Sequence, residues 1–321
     1  MRIDAACKGI IPIDNTDSIQ AIIEQKLYPL KIIGGGSNIL MMKNVDAYIL
    51  LNNITGIKTI DESEDFITVE VGAGESWHQF VMWCIDRNLG GLENLSLIPG
   101  KVGAAPMQNI GAYGVEQNQC FIQLRAIDLS NGIEKVFDKE TCAFGYRESI
   151  FKHEAKDKYI ITHVTYRLAK KPAINITYGA IQSKLDDHNI DKPTIKDVSD
   201  AIIEIRKSKL PDPKEIPNTG SFFKNPIVEK SIYDRIAKEY DHVPSYPVDD
   251  AMVKIPAAWL IQTAGYKGKR VGDAGTHKSH ALVLVNYGNA SGEDLFSFAR
   301  QIQDAVETTF DIRLQLEVNI W

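Results

Sequence analysis

Residues 98–114 do most to decide the fold, and they read Ile98-Pro99-Gly100-Lys101-Val102-Gly103-Ala104-Ala105-Pro106-Met107-Gln108-Asn109-Ile110-Gly111-Ala112-Tyr113-Gly114. Most of these side chains are small, and Gln108 and Asn109 are the amide-bearing residues. Small side chains let a backbone approach a flat or extended ligand closely. Apolar residues such as Val102 and Ile110 are unusual in an ordinary solvent loop. The stretch therefore predicts a site for a large cofactor.

A second glycine run, Gly34-Gly35-Gly36-Ser37-Asn38, follows a predicted strand over 30–33. Glycines in series let backbone N–H groups converge on an anion. The run lacks the Gly-Lys-Ser/Thr ending of a P-loop, and Ile39 occupies the place of the third glycine in a dinucleotide fingerprint. Two interpretations stay open from these residues, a phosphate cradle and a tight turn between strands.

Length and composition are typical of a globular protein with two domains, or three small ones. The chain has 321 residues, of which 44% are hydrophobic and 24% charged. Its net charge of −6 argues against general nucleic-acid binding, which needs a concentrated basic face. No apolar run reaches the roughly 18 residues of a membrane helix, so we expect no membrane partner.

Four widely spaced cysteines, at positions 7, 84, 120 and 142, form no metal-binding motif. We therefore expect no metal site. Unpaired cysteines in a chain without a secretory leader are typical of a reducing cytoplasm, and we expect a cytoplasmic protein.

Hydrophobic periodicity predicts helices and strands along the whole chain. Asp17 and Gln20 predict a helix start and a helix over about 18–26. The other predicted helices are one that carries Trp77 on its apolar stripe and stops at Gly90-Gly91, one over about 197–208, a short one from Pro256 to Gly265, and a long one opened by Ser291 and Asp294. Predicted strands are 30–33, 47–51, 67–71, 281–285 and 314–320. The proline-rich segment 210–220 predicts a domain boundary.

Several motifs, in order along nearly the whole chain, resemble those of the UDP-N-acetylenolpyruvoylglucosamine reductase (MurB) family. They are GGGSNIL (34–40), VGAGESW (71–77), the stretch 98–114, GYRESIF (145–151), KLPDPK (209–214), GSFFKNP (220–226), AAWLIQTAG (257–265) and the terminal LEV (316–318). The residues around Tyr178 and KLPDPK are similar to the type I branch of that family, which has a substrate-closing tyrosine loop.

The resemblance implies an α+β fold with a two-lobed, vanillyl-alcohol-oxidase-like FAD-binding part and a C-terminal α/β substrate-binding domain. On this basis we expect lobe 1 at 1–56, lobe 2 at 57–208 joined by the terminal strand 312–321, and the substrate domain at 209–311. It further implies a monomer that binds FAD non-covalently and takes electrons from NADPH. The substrate would be UDP-N-acetylglucosamine enolpyruvate, reduced to UDP-N-acetylmuramate for peptidoglycan synthesis.

The implied catalytic residues are Arg147, Ser221 and Glu317. Reduction of an enolpyruvyl double bond places negative charge on the substrate carboxylate, which a cation stabilises, and it requires a proton donor. The resemblance assigns the proton to Ser221 and stabilisation of the charge to Arg147 and Glu317. Without the motifs, these would be a surface ion-pair arginine (with Glu148, for example), a turn or cap serine, and a solvent-facing glutamate in the middle of the last strand.

The resemblance also implies binding residues for cofactor and substrate. The expected FAD-binding residues are Gly34, Gly35, Gly36, Ser37, Asn38, Pro99, Gly100, Gly103, Ala104, Gln108, Asn109, Gly111, Ala112 and Tyr113. The expected substrate-binding residues are Tyr178, Lys209, Asn225 and Tyr246.

Lys101 departs from the family pattern, which usually has Thr there, and it would either pair with the flavin pyrophosphate or point outward. Two other functions stay open. A flavin oxidase of the same fold would be reoxidised rapidly by oxygen. A nucleotide-binding module without chemistry would bind UDP-sugar without oxidising NADPH.

Overall fold

The computed structural model describes all residues from Met1 to Trp321. The α-helices are α1 (Thr16–Glu24), α2 (Trp77–Ile85), α3 (Lys139–Cys142), α4 (Gly179–Asp187), α5 (Ile195–Lys209), α6 (Lys230–Glu239), α7 (Ala257–Thr263) and α8 (Gly292–Phe310). The strands are β1 (Cys7–Ile13), β2 (Leu30–Ile33), β3 (Ile39–Leu40), β4 (Val45–Asn52), β5 (Ile57–Glu62), β6 (Phe66–Gly72), β7 (Gly111–Ala112), β8 (Val115–Glu116), β9 (Phe121–Asp128), β10 (Glu134–Asp138), β11 (Tyr159–Ala169), β12 (Asn218–Ser221), β13 (Ile227–Glu229), β14 (Tyr246–Pro247), β15 (Met252–Lys254), β16 (Arg270–Val271), β17 (Ala274–Thr276), β18 (Val283–Asn286) and β19 (Asn319–Ile320).

The chain folds as two compact units, each built from discontinuous segments. The first contains residues 1–6, 37–45 and 209–321, and the second contains 7–36 and 46–208. None of the helices combines the length and the apolar character that crossing a membrane requires.

The second unit is organised around an antiparallel five-stranded sheet in the order β10-β9-β11-β6-β5. Helix α2 packs on this sheet because its apolar stripe includes Trp77 and Phe80, which are 1% exposed. The ring of Trp77 meets that of Tyr166 edge-on at 6.0 Å, and its indole N–H donates to the Leu95 carbonyl at 3.0 Å. These rings form the centre of the largest apolar core.

A smaller sheet of the same unit has the order β1-β4-β2, with β2 and β4 parallel. Its core residues, among them Ile19 and Leu50, pack against Ile127 and Ile160 of the five-stranded sheet. The residues expected in lobe 1 and lobe 2 therefore share one apolar core. Helices α4 and α5 form a separate apolar cluster.

The first unit contains a four-stranded sheet in the order β12-β18-β17-β16 and a three-stranded sheet in the order β13-β15-β14. The core of the unit joins Phe222, Leu284 and Phe298, which are each at most 1% exposed. Strand β19 pairs in parallel with β3, placing Asn319 opposite Ile39. This pairing adds residues 39–40 to the same unit as the C-terminal segments.

Most predicted elements are present, with some shifted bounds. The capping box of Ser291 and Asp294 is confirmed at α8. The helix start assigned to Asp17 is wrong, because Asn15 is the N-cap and accepts a hydrogen bond from the amide of Ser18.

The long terminal strand over 314–320 is also wrong. Only β19 is a strand, and Leu316 forms an isolated bridge with Phe223. The terminal segment was expected to join lobe 2, whereas it belongs to the compact unit that contains 209–311. The alternation of Ile312, Leu314 and Val318 does mark buried positions, but alternation does not identify the pairing partner.

Candidate active site

The two glycine-rich stretches meet in the second unit. A Cβ atom placed on Gly35 would lie 3.2 Å from the Cα of Gly100, and one placed on Gly34 would lie 3.5 Å from the Cβ of Lys101. Contacts tighter than about 3.4 Å require a neighbour to move, so a side chain at Gly35 would separate the two stretches.

A third glycine-containing segment, 71–77, braces the same region. The amide of Gly103 donates to the carbonyl of Ala73 at 2.9 Å, and the amide of Trp77 donates to the carbonyl of Gly100 at 3.1 Å. A Cβ atom on Gly74 would overlap the backbone of Asn53. The glycines are therefore needed for backbone segments from distant parts of the chain to pack against each other.

The cradle formed by 34–36 and 100–104 fits a cofactor that carries phosphate groups. No backbone carbonyl accepts a hydrogen bond from the amides of Gly35 and Gly36. Consecutive free amides next to glycine form a concave donor set that suits an anion. The expected contacts of FAD with individual residues of 34–38 and 99–113 remain predictions.

Asn109 holds the centre of the second stretch. Its side chain is fully buried, and its backbone has a left-handed φ of 42°. The amide nitrogen donates to Glu116 Oε2 at 2.7 Å and to the Gly145 carbonyl at 3.2 Å. The amide oxygen accepts from Gln117 Nε2 and from the Asn118 amide, each at 3.3 Å. The Asn109 side chain therefore makes four hydrogen bonds to other protein groups and holds them in place.

Arg147 lies at the tip of a two-residue turn closed by reciprocal hydrogen bonds between Gly145 and Glu148, each at 3.1 Å. Its φ of 56° is left-handed, which costs a non-glycine residue about 1–2 kcal/mol. The guanidinium Nη2 donates to the Gly111 carbonyl at 2.7 Å. Glu148 Oε2 lies 2.8 Å from Nε2 of His153.

Tyr178 and Tyr113 are brought together in the second unit, with their rings edge to face at 5.2 Å. Arg206 forms a hydrogen bond with Tyr113, and burial lowers the pKa of this arginine while raising the pKa of Tyr113. No sequence motif marks Arg206. Its position three residues before Lys209, on the same helix α5, was the only available indication.

Ser221 and Glu317 are brought together in the first unit. Ser221 ends β12 opposite Val283, and Phe222 and Phe223 behind it are fully buried. The amide of Glu317 donates to the carbonyl of Phe222 at 2.9 Å. Ser221 follows Gly220, whose φ of 73° is left-handed.

Other expected site residues lie on both units. Asn38 Nδ2 donates to the Glu317 carbonyl at 3.2 Å, so the end of the first glycine run contacts the backbone of a catalytic candidate. Asn225 Oδ1 accepts from the amide of Ala257 at 2.9 Å and so caps α7. Tyr246 is 42% exposed in β14, and Lys209 is exposed at the end of α5.

Two family models match the chain. Residues 8–136 match the FAD binding domain, and residues 212–321 match the UDP-N-acetylenolpyruvoylglucosamine reductase, C-terminal domain. The fold and the glycine cradle, taken with the first match, define an FAD-containing oxidoreductase.

Similar proteins extend over nearly the whole chain. The UDP-N-acetylenolpyruvoylglucosamine reductase of Flavobacterium johnsoniae is 50% identical over 320 residues, which cover 99% of this chain and 95% of that protein. The reductase of Pseudomonas aeruginosa is 44% identical over 94% of this chain and 88% of its own length. The chain belongs to the UDP-N-acetylenolpyruvoylglucosamine reductase family.

A solved structure shares the fold. The crystal structure of the reductase from Thermus caldophilus superimposes with a TM-score of 0.67 at 23% identity, covering 97% of this chain and 91% of that one. The α+β fold expected from the motifs is confirmed.

Proposed function

We propose that this chain reduces UDP-N-acetylglucosamine enolpyruvate to UDP-N-acetylmuramate, with NADPH as the electron donor and FAD as the bound cofactor. The observation that carries the proposal is the 50% identity to the Flavobacterium johnsoniae reductase over 99% of the chain. The product supplies peptidoglycan precursors for the cell wall, and hence for cell shape and division. A monomer in the cytoplasm is part of the proposal, and the four free cysteines support a reducing compartment.

The hydride for one carbon of the enolpyruvyl double bond would come from FAD when it is bound and reduced. Arg147 binds the carboxylate on which negative charge develops. Its guanidinium is oriented by the Gly111 carbonyl, and its left-handed backbone supports a functional position, since such strain persists where the surrounding structure enforces it. Arginine suits this task because its planar donors match a carboxylate.

Ser221 donates the proton to the other carbon. A serine hydroxyl is a weak acid, so it gives up a proton only to a strongly basic centre, such as the carbon next to a charged carboxylate. The backbone hydrogen bond from Glu317 to Phe222 keeps the glutamate next to the serine segment. In its protonated form, the Glu317 carboxyl would help to stabilise the developing negative charge by donating a hydrogen bond to it.

The substrate's nucleotide and diphosphate are bound by Tyr178, Lys209, Asn225 and Tyr246. Asn225 uses its side-chain oxygen to cap α7, which leaves its Nδ2 donor for the substrate. Lys209 contributes its exposed ammonium to the diphosphate, and Tyr178 closes over the nucleotide from its contact with Tyr113.

An anaerobic absorption measurement tests the whole proposal. NADPH should bleach the flavin band, and UDP-N-acetylglucosamine enolpyruvate should restore it. A flavin that bleaches but recovers only with oxygen would contradict the substrate assignment. A protein that binds UDP-sugar but stays unreactive toward NADPH would contradict the enzymatic assignment.

Ser221→Ala tests the proton donor. Flavin reduction by NADPH should be unchanged, whereas reoxidation by the enolpyruvyl substrate should slow by orders of magnitude, on the order of 10³-fold or more. Ser231→Ala is the matched control, because Ser231 is an exposed serine of the same unit whose hydroxyl contacts only Glu229. Equal reoxidation rates in both variants would remove Ser221 from the mechanism.

A further inference from the structure

Lys101 lies at the junction of the two glycine-rich stretches. A Cβ atom placed on Gly34 would be 3.5 Å from the Lys101 Cβ and 3.9 Å from its Cδ. The aliphatic part of the lysine therefore runs alongside the first glycine of the run 34–36.

The ammonium of Lys101 has two acceptors, both uncharged. It donates to the Asn52 carbonyl at 2.5 Å and to Asn53 Oδ1 at 2.8 Å. No carboxylate forms an ion pair with it. A lysine ammonium has three donors, so one donor and the full positive charge are uncompensated by the protein. Partial burial lowers the pKa of Lys101, as expected for a cation that lacks a counter-charge.

The adjacent backbone is also unsatisfied. The amides of Gly35 and Gly36 have no backbone acceptor, and Gly36 has a left-handed φ of 64°. Such a turn directs consecutive N–H groups toward one side, where an anion binds. The aliphatic part of Lys101 lies against Gly34, the residue before these two amides. The uncompensated ammonium and the two free amides are three donors suited to a phosphate group.

We propose that Lys101 binds the diphosphate of FAD together with the amides of Gly35 and Gly36. The inference rests on the assignment of FAD as the cofactor. FAD contains a diphosphate, whereas riboflavin contains no phosphate. Comparing the affinities for the two flavins therefore separates the contribution of the Lys101 charge from that of isoalloxazine binding. The two hydrogen bonds hold the ammonium at residues 52–53 without neutralising its charge.

Binding of flavins to the apoprotein tests the assignment. Dissociation constants for FAD and for riboflavin would be measured by flavin fluorescence with the wild type, Lys101→Gln, Lys101→Arg and the control Lys58→Gln. Glutamine keeps an N–H donor for the Asn52 carbonyl but has no charge. Lys58 is an exposed lysine of β5 in the same unit.

Lys101→Gln should weaken FAD binding about 10–100-fold, the range for one charge-assisted hydrogen bond, and leave riboflavin binding within about twofold. Lys101→Arg should retain most of the FAD affinity, and Lys58→Gln should match the wild type. Inorganic phosphate should compete with FAD in the wild type and less in Lys101→Gln.

Three results would overturn the inference. The first is unchanged FAD affinity in Lys101→Gln. The second is a parallel loss of FAD and riboflavin affinity, which would make Lys101 only a brace between 52–53 and the second glycine stretch. The third is a wild-type apoprotein that binds neither flavin, which would remove the cofactor assignment itself. Thermal unfolding of each apoprotein shows whether the variant is folded.

Discussion

Replacing Asn109 by alanine should destabilise the second unit strongly. The substitution removes one hydrogen bond to a carboxylate, at 2.7 Å, and three to uncharged groups, at 3.2–3.3 Å. A buried bond to a charged group contributes about 1.5–3 kcal/mol, and each long neutral one contributes about 0.5 kcal/mol. The expected loss is therefore about 3–5 kcal/mol, to which the positive φ of residue 109 adds because alanine tolerates it less well.

Differential scanning fluorimetry of the apoprotein measures this loss. At about 2–4 °C per kcal/mol for a unit of this size, Tm should fall by roughly 6–20 °C. Asn131→Ala is the control, because this exposed asparagine accepts a single hydrogen bond, from the amide of Ile133. A second readout is the rate of flavin reoxidation by the enolpyruvyl substrate. This rate should fall because the substitution removes the hydrogen bond from Asn109 to the Gly145 carbonyl, which anchors the turn that carries Arg147. A Tm within about 2 °C of the wild type would refute the account of Asn109 as the organiser of this stretch.

Three further predictions concern stability. Gly74→Ala should be severely destabilising and should impair FAD retention, because its Cβ would overlap the backbone of Asn53. The control is Gly179→Ala, whose Cβ would have no atom within 4 Å. In chemical denaturation this control should change the free energy of unfolding by less than about 1 kcal/mol. Trp77→Phe should cost about 1–3 kcal/mol by the same method, because it leaves a buried carbonyl without its indole donor. Hydrogen bonds from the N-cap serine of α8 lower the pKa of Asp294 below 3.8, so its stabilisation is complete above that pH and is lost as pH falls through the lowered value. The Tm deficit of Asp294→Ala should therefore be present at neutral pH and should shrink as the pH falls below 3.8, and a deficit of constant size would contradict this assignment.

The sequence predicted elements that depend on local patterns. Helix α8 has a capping box three residues apart and an apolar stripe, so both its start and its buried face are local properties. Strand β2 begins and ends where its apolar run does. The cap of α1 was misassigned because Asn15 and Asp17 are both good N-cap residues, and the tertiary position of the chain selects between them.

The candidate site depends on contacts that no local pattern encodes. Ser221 and Glu317 are 96 residues apart and are joined by one backbone hydrogen bond through Phe222, and motif resemblance alone grouped them. The four bonds of Asn109 and the left-handed backbone of Arg147 have no local sequence marker. Arg206 likewise has no local sequence marker, and only its contact with Tyr113 in the folded chain links it to the site.

The pairing of β19 with β3 has a consequence for the order in which the protein is made. Residue 39 leaves the ribosome 280 residues before residue 319, its partner in this pairing (319 − 39 = 280). At about 5–20 residues per second, β3 waits roughly 14–56 s for that partner. The segments 7–36 and 46–208 of the second unit are complete well before then. Translation therefore favours an order in which the second unit folds first and the pairing of β19 with β3 completes the first unit last.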